Sequence, residues 1–112
     1  MNLWLDDLRE PPTKDWTWVK TVEDAKIMFE TMPVDTASLD NDLQQVLEGY
    51  DLVKWMVETG HWPRISLAVH SGNNVGVKNM CGTIERYGPY VYKEYGRYDG
   101  TMYDTIVYTK EV

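Results

Sequence analysis

Leu3-Trp4-Leu5-Asp6-Asp7 decides the reading of this chain: a short apolar run that ends in two acids. The pattern returns at Ala37-Ser38-Leu39-Asp40-Asn41-Asp42, and a third apolar run, Ile65-Ser66-Leu67-Ala68-Val69, ends in His70-Ser71. Short, mostly apolar runs of this length, bounded by polar residues, suit strands buried on both faces. If the three are parallel neighbours, the carboxylates of Asp6, Asp7, Asp40 and Asp42 meet an imidazole and a hydroxyl at one sheet edge. That edge is where open α/β sheets bind ligands. Clustered carboxylates repel each other unless a proton or cation sits among them. The pattern therefore points to divalent-metal or phosphate chemistry.

The rest of the chain supplies the connections. Trp16–Val19 reads as another strand. Thr21-Val22-Glu23-Asp24 is a capping box opening a helix with Ala25, Met28, Phe29 and Met32 on one face, and Pro33 ends it. Residues 43–48 form a connecting turn. Tyr50–Thr59 suits a helix stopped by Gly60. Gly72-Asn73-Asn74 is a turn, and Val75–Tyr87 is a further helix broken by Gly88-Pro89. Tyr90-Val91-Tyr92 and Thr105-Ile106-Val107-Tyr108 are rich in strand formers around Asp99-Gly100, which predicts a hairpin. Strands alternating with helices imply an α/β fold with a mostly parallel sheet. Only Leu8–Asp15, with Pro11-Pro12 inside it, joins the first two strands, and a helical crossover needs a dozen or more residues. Strands one and two are therefore joined by an irregular loop. The whole, 1–112, reads as one domain, with a core over 1–87 and a Tyr-rich hairpin extension over 88–112.

The formal charge is −7. Residues 1–60 hold 13 acids and 5 bases, whereas 61–112 hold 5 acids and 6 bases, so the acidity lies with the carboxylate strands. This disfavours direct binding to a nucleic acid backbone. It reads either as a solvated face or as an acidic surface that occupies a basic groove on another protein. Cys81 stands alone, so no internal disulfide forms and a reducing cytosol suits the chain. The first residues lack the basic and apolar regions of a signal peptide, and no run approaches a membrane helix. A cytoplasmic protein with no membrane association is expected.

These motifs resemble the response-regulator receiver domains, and more closely the cyclic-phosphate-processing receiver-like family. The resemblance rests on Leu5-Asp6-Asp7-Leu8-Arg9 with Pro11, and on Ser38-Leu39-Asp40-Asn41-Asp42-Leu43 followed by Gly49-Tyr50-Asp51. It rests also on Val69-His70-Ser71-Gly72-Asn73-Asn74-Val75-Gly76, and it covers about residues 1–86. It implies a receiver-like three-layer sandwich with strand order 2-1-3-4-5, no first helix, and here an added C-terminal hairpin. It also implies a cyclic nucleotide or 2′,3′-cyclic phosphate ligand in a prokaryotic or phage defence or counter-defence setting. The family usually has His where this chain has Asn41, and Asn neither donates a proton near neutral pH nor takes up charge.

Asp6, Asp7 and Asp40 suit one Mg²⁺ or Mn²⁺ with room for phosphate oxygens; the plainer reading is helix caps and a solvated loop. Asp42 either orients His70 or caps the following turn. His70 reads as a catalytic acid or base beside Ser71, or as a satisfied structural histidine. Ser71 and Asn73 form an anion site where a helix opens, or a plain cap. Arg9 clamps a phosphate or faces solvent. Lys93 suits an edge strand. The tail tyrosines pair across a hairpin, or stack on a base, and their edge suits a homodimer or protein partner. The leading reading is a metal-assisted phosphate-handling protein, with cyclic phosphodiesterase turnover as its enzymatic form. The alternative is a non-catalytic acidic binder, either a nucleotide sponge or a protein–protein inhibitor.

Overall fold

Leu3, Leu5, Ala37, Leu39, Leu67 and Val69 alternate along three strands and enter one apolar core, which fixes those strands as sheet interior. A computed structural model describes residues 1–70, 74–96 and 105–110. In chain order the elements are β1 (Asn2–Leu5), β2 (Trp16–Val19), α1 (Val22–Thr31), β3 (Thr36–Leu39) and α2 (Gly49–Thr59). β4 (Ser66–Val69), α3 (Asn74–Tyr87), β5 (Tyr92–Gly96) and β6 (Thr105–Thr109) follow. No helix among the described residues is long and apolar enough to cross a membrane.

The sheet order is β2-β1-β3-β4-β6-β5. β2, β1, β3 and β4 run parallel, and β6 is antiparallel to both β4 and β5. The α/β receiver-like class is as expected, but the order 2-1-3-4-5 is corrected at its far end. The strand beside β4 is the last of the chain, not the one following α3. The reason lies in side-chain burial. Thr105 and Tyr108 of β6 are buried, while every residue of β5 is exposed. The more apolar member of the hairpin takes the inner place and leaves Tyr92-Lys93-Glu94-Tyr95 to the edge. Lys93 on that edge strand pairs with Glu85 of α3 at 3.1 Å and stands level with Tyr108 of β6 and Leu67 of β4, in mid-strand and not at the strand ends. The turn at Asp99-Gly100 lies outside the described residues.

α1, α2 and α3 follow crossovers that all step in one direction across the sheet, so right-handed connections put them on one face. α2 accordingly packs on both α1 and α3. The third layer implied by the resemblance holds no helix among the described residues. Trp4 fills that side instead: fully buried, it meets Trp16 edge-on at 5.6 Å between ring centroids, and its indole N–H donates to the Arg9 carbonyl at 2.8 Å. The irregular connection after β1 thus stands where a helix would.

Local chemistry sets the helix ends. Thr21 Oγ1 accepts from the Asp24 N–H at 3.1 Å, so Thr21 caps α1 with its half of the expected capping box. Val22, Ala25 and Phe29 are its buried residues, and Met32, past the helix, is half exposed. Asp51 accepts from the Glu48 N–H at 2.8 Å at the start of α2. Gly60 ends α2 in the left-handed region at φ 76°, its N–H donating to the Met56 carbonyl at 2.8 Å.

Candidate functional site

The strand register brings the site together. Leu5, Leu39 and Val69 stand level across β1, β3 and β4. The next residues, Asp6, Asp40 and His70, therefore leave the sheet in one row. The ladder continues one step beyond the strands. The Asp40 N–H donates to the Leu5 carbonyl at 2.9 Å, and the His70 N–H to the Leu39 carbonyl at 3.0 Å. On the other side, the Asp6 N–H donates to the Val19 carbonyl at 3.1 Å. These bonds leave the carboxylates little freedom to spread apart.

Above this row opens a cleft of about 390 Å³, lined by Asp6, Asp7, Leu8, Arg9, Asp40, Asp42 and Gln44. Asp6, Asp7 and Asp40 each present an oxygen within 4.8 Å of the others. Two oxygens bound to one Mg²⁺ at ~2.1 Å lie at most ~4.2 Å apart, so the cluster needs only a small inward movement to hold such an ion. An all-oxygen, carboxylate set is the donor chemistry Mg²⁺ and Mn²⁺ take. These residues fit a hard divalent cation. Gln44, on the rim, is held in the left-handed region at φ 54°, which costs a non-glycine residue ~1 kcal/mol.

Asp6 is the most constrained of the acids. One oxygen accepts the Leu8 and Arg9 backbone N–H groups, both at 2.9 Å, and the other meets His70 Nε2 at 2.9 Å. Its own carbonyl accepts the Trp18 indole N–H at 2.7 Å. Burial pushes the Asp6 carboxyl up, but the bonds from His70, Arg9 and Leu8 outweigh it and hold the group below the ordinary carboxylate range. Burial pushes the His70 imidazole down, against the pull of Asp6. The pair is thus an ionised carboxylate and a neutral ring. Nε2 then carries the proton and donates to Asp6, and Nδ1 accepts the Ser38 hydroxyl at 2.7 Å. The ring also stacks on Trp4, 3.9 Å between centroids and 7° from parallel.

A family model described as the cyclic-phosphate processing receiver domain matches residues 1–86. The chain belongs to this family. No curated protein and no solved structure matches it. Within this receiver domain, the expected residues divide into three groups. Asp6, Asp7, Asp40, Asp42 and Arg9 all line the cleft. His70 does not: it is 1% exposed, lies beneath Asp6, and has both ring nitrogens engaged. Asp42 is consequently not the group that orients His70, a place taken by Asp6 and Ser38. Ser71 and Asn73 lie outside the described residues.

Sequence reasoning missed Ser38 and Trp4, the partners that seal His70. Their signal was their position: Trp4 and Ser38 stand opposite each other in register and share one face. It also left Asn41, where the family usually has His, without a place. Asn41 is buried, its carbonyl accepts the Gly49 N–H at 2.9 Å and its Oδ1 the Tyr50 N–H at 3.0 Å. It ties β3 to the start of α2. A Cβ at Gly49 would stand 2.1 Å from the Asp40 carbonyl oxygen, so only glycine lets the helix approach the site this closely.

Proposed function

We propose that this receiver domain handles a cyclic phosphate, as a 2′,3′-cyclic phosphate or a cyclic nucleotide, at a divalent-cation site in the acidic cleft. The observation that carries this reading is the convergence of Asp6, Asp7 and Asp40, from two strand ends, to within 4.8 Å of one another, a small inward movement from one ion's reach. A bound Mg²⁺ or Mn²⁺ would neutralise phosphate charge and polarise its oxygens. The chain's own residues do the remainder. Asp6 is held as an ionised, aimed carboxylate by two backbone N–H groups and by neutral His70. Asp40, buried at the next strand end, faces it across the cleft floor. Arg9, on the cleft wall, binds the phosphate oxygens, and exposed Asp42 on the rim is the group placed to take a proton from water. His70 acts through Asp6 rather than on the ligand. The defence or counter-defence setting that the resemblance implies belongs to the same proposal.

One observation favours a second reading. No imidazole faces the cleft among the described residues, which leaves carboxylates and Arg9 as its charged chemistry. A site so built binds a cyclic phosphate more readily than it protonates a leaving oxygen, as a sponge would. Both readings are tested by incubating the protein with a 2′,3′-cyclic nucleotide and Mn²⁺, with calorimetry for binding and ³¹P NMR for ring opening. Ring opening that is lost in Asp42→Asn supports the enzyme. Stoichiometric binding without ring opening supports the sponge. Neither signal, with or without metal, overturns the proposal.

A further inference from the structure

A second, smaller groove of about 250 Å³ lies beside the acidic cleft, between the starts of α2 and α3. Its walls include Asn41, Glu48, Tyr50, Asp51, Gly76 and Asn79. The two sites share one turn of chain. Asp40 and Asp42 line the acidic cleft, while Asn41, between them, lines the groove. A single small ligand can therefore reach both.

The groove has an unengaged donor at its base. Asn41 is 8% exposed, and its Oδ1 is committed to the Tyr50 N–H. Its Nδ2 has no partner among the described residues. It is the atom nearest the bare Cα face of Gly76, where a Cβ would stand only 2.3 Å away. Gly76 is thus the residue that allows this amide to sit between the two helix starts. Acceptors stand on the opposite wall. Glu48 Oε2 accepts the Leu43 N–H at 2.7 Å, and the Glu48 side chain also accepts the Asp51 N–H in a capping box, which still leaves carboxylate lone pairs for a further donor. Asn79, exposed on α3, adds an adaptable amide, and Tyr50 adds an aromatic wall whose hydroxyl is 3.4 Å from Thr83 Oγ1.

A buried amide donor facing a carboxylate acceptor rejects a simple anion, because Glu48 and Asp51 would repel it. It suits a flat, neutral group that presents a carbonyl acceptor beside N–H donors. We infer that the groove is a nucleobase subsite, in which Asn41 Nδ2 donates to a ring carbonyl and Glu48 accepts from the neighbouring N–H, as the edge of guanine would require. This subsite rests on the cyclic-phosphate reading and extends it to the rest of the ligand. With the phosphate over Asp6 and Asp40, the base falls on the other side of the Asp40–Asp42 turn.

The test uses guanosine, which carries no phosphate, added without metal to the ¹⁵N-labelled full chain. The side-chain amide signals of Asn41 and Asn79 should move saturably. Glu48→Gln keeps an acceptor for Leu43 but presents N–H to N–H, and should weaken guanosine about tenfold, the size of one good hydrogen bond. Asn79→Ala and Asn41→Asp, the latter keeping the bond to Tyr50, should weaken it as well. Asn amide signals that stay still, or an affinity unchanged in all three variants, would overturn the inference. A base-free 2′,3′-cyclic phosphate of methyl riboside with Mg²⁺ reports on the cleft alone. If it binds and guanosine does not, the subsite is wrong and the phosphate reading stands. If guanosine binds and the base-free ligand does not, the subsite stands and the phosphate reading fails.

Discussion

The floor and the rim of the acidic cleft are built on opposite terms. On the floor, Asp6, His70, Ser38 and Trp4 are nearly or fully buried and hold one another through hydrogen bonds and ring stacking. On the rim, Leu8 is 70% exposed, Asp42 and Gln44 are exposed, and Asp7 has no partner among the described residues. The floor satisfies its polar groups internally, so removing one should cost stability. Asp7 keeps its carboxylate for solvent or ligand, so removing it should cost binding and little else.

The largest effect should come from His70→Ala. It leaves a cavity under Trp4 and strips a buried carboxylate of a donor, and should destabilise the fold by about 3 kcal/mol, read as a shift in the urea midpoint. A loss as small as a surface substitution would erase the difference between floor and rim. Gly49→Ala should follow at about 2 kcal/mol, because its new methyl meets the backbone of Asp40 and not a movable side chain. The same substitution should weaken any Mn²⁺ binding by displacing that strand end. Ser38→Ala should cost about 1 kcal/mol, by leaving His70 Nδ1 buried without its hydroxyl.

Acid should act on the floor in a defined direction. His70 has a folded pKa depressed below its ordinary 6.5 by burial. As pH falls through 6.5, the unfolded chain takes up a proton that the folded chain refuses, so stability declines. Asp6, also held low, adds a further loss only below its ordinary 3.8, as pH falls through its folded value. Urea midpoints measured from pH 7.5 to 5 should therefore fall in the parent protein. A midpoint that holds level or rises over that range would show that His70 is charged in the fold.

The same contrast marks what was legible in the sequence. Asp6, Asp7 and Asp40 announced themselves because each ends or follows a short apolar run, and parallel register does the rest. His70 announced its row but not its depth. That depth depends on Trp4 and Ser38, in two other strands, turning the same way, which no local pattern records. The second strand of the hairpin after α3 was legible from its strand formers, whereas the first lies at Tyr92–Gly96, beyond the Tyr90-Val91-Tyr92 that its strand formers pointed to. The orientation of the hairpin was not legible, since two neighbouring strand-forming segments can each take the inner place. Burial of Tyr108 and Thr105 against β4 and α3 made the choice. Asn41 read as a lost histidine, whereas its backbone and side chain clamp the start of α2.

The rim should behave oppositely to the floor, and Asp7 is where the two expectations part most sharply. Asp7→Asn should leave the urea midpoint of the metal-free protein within about 0.5 kcal/mol of the parent, or raise it slightly by relieving repulsion with Asp6 and Asp40. The decisive experiment is a Mn²⁺ titration of parent and Asp7→Asn proteins, followed by the loss of the free-ion electron paramagnetic resonance signal. One saturable Mn²⁺ per parent chain, displaced by Mg²⁺, is expected, with at least about a tenfold weaker site in the equally folded variant. Identical Mn²⁺ binding by the two proteins, or none by the parent, would mean that the acidic cleft is not a cation site.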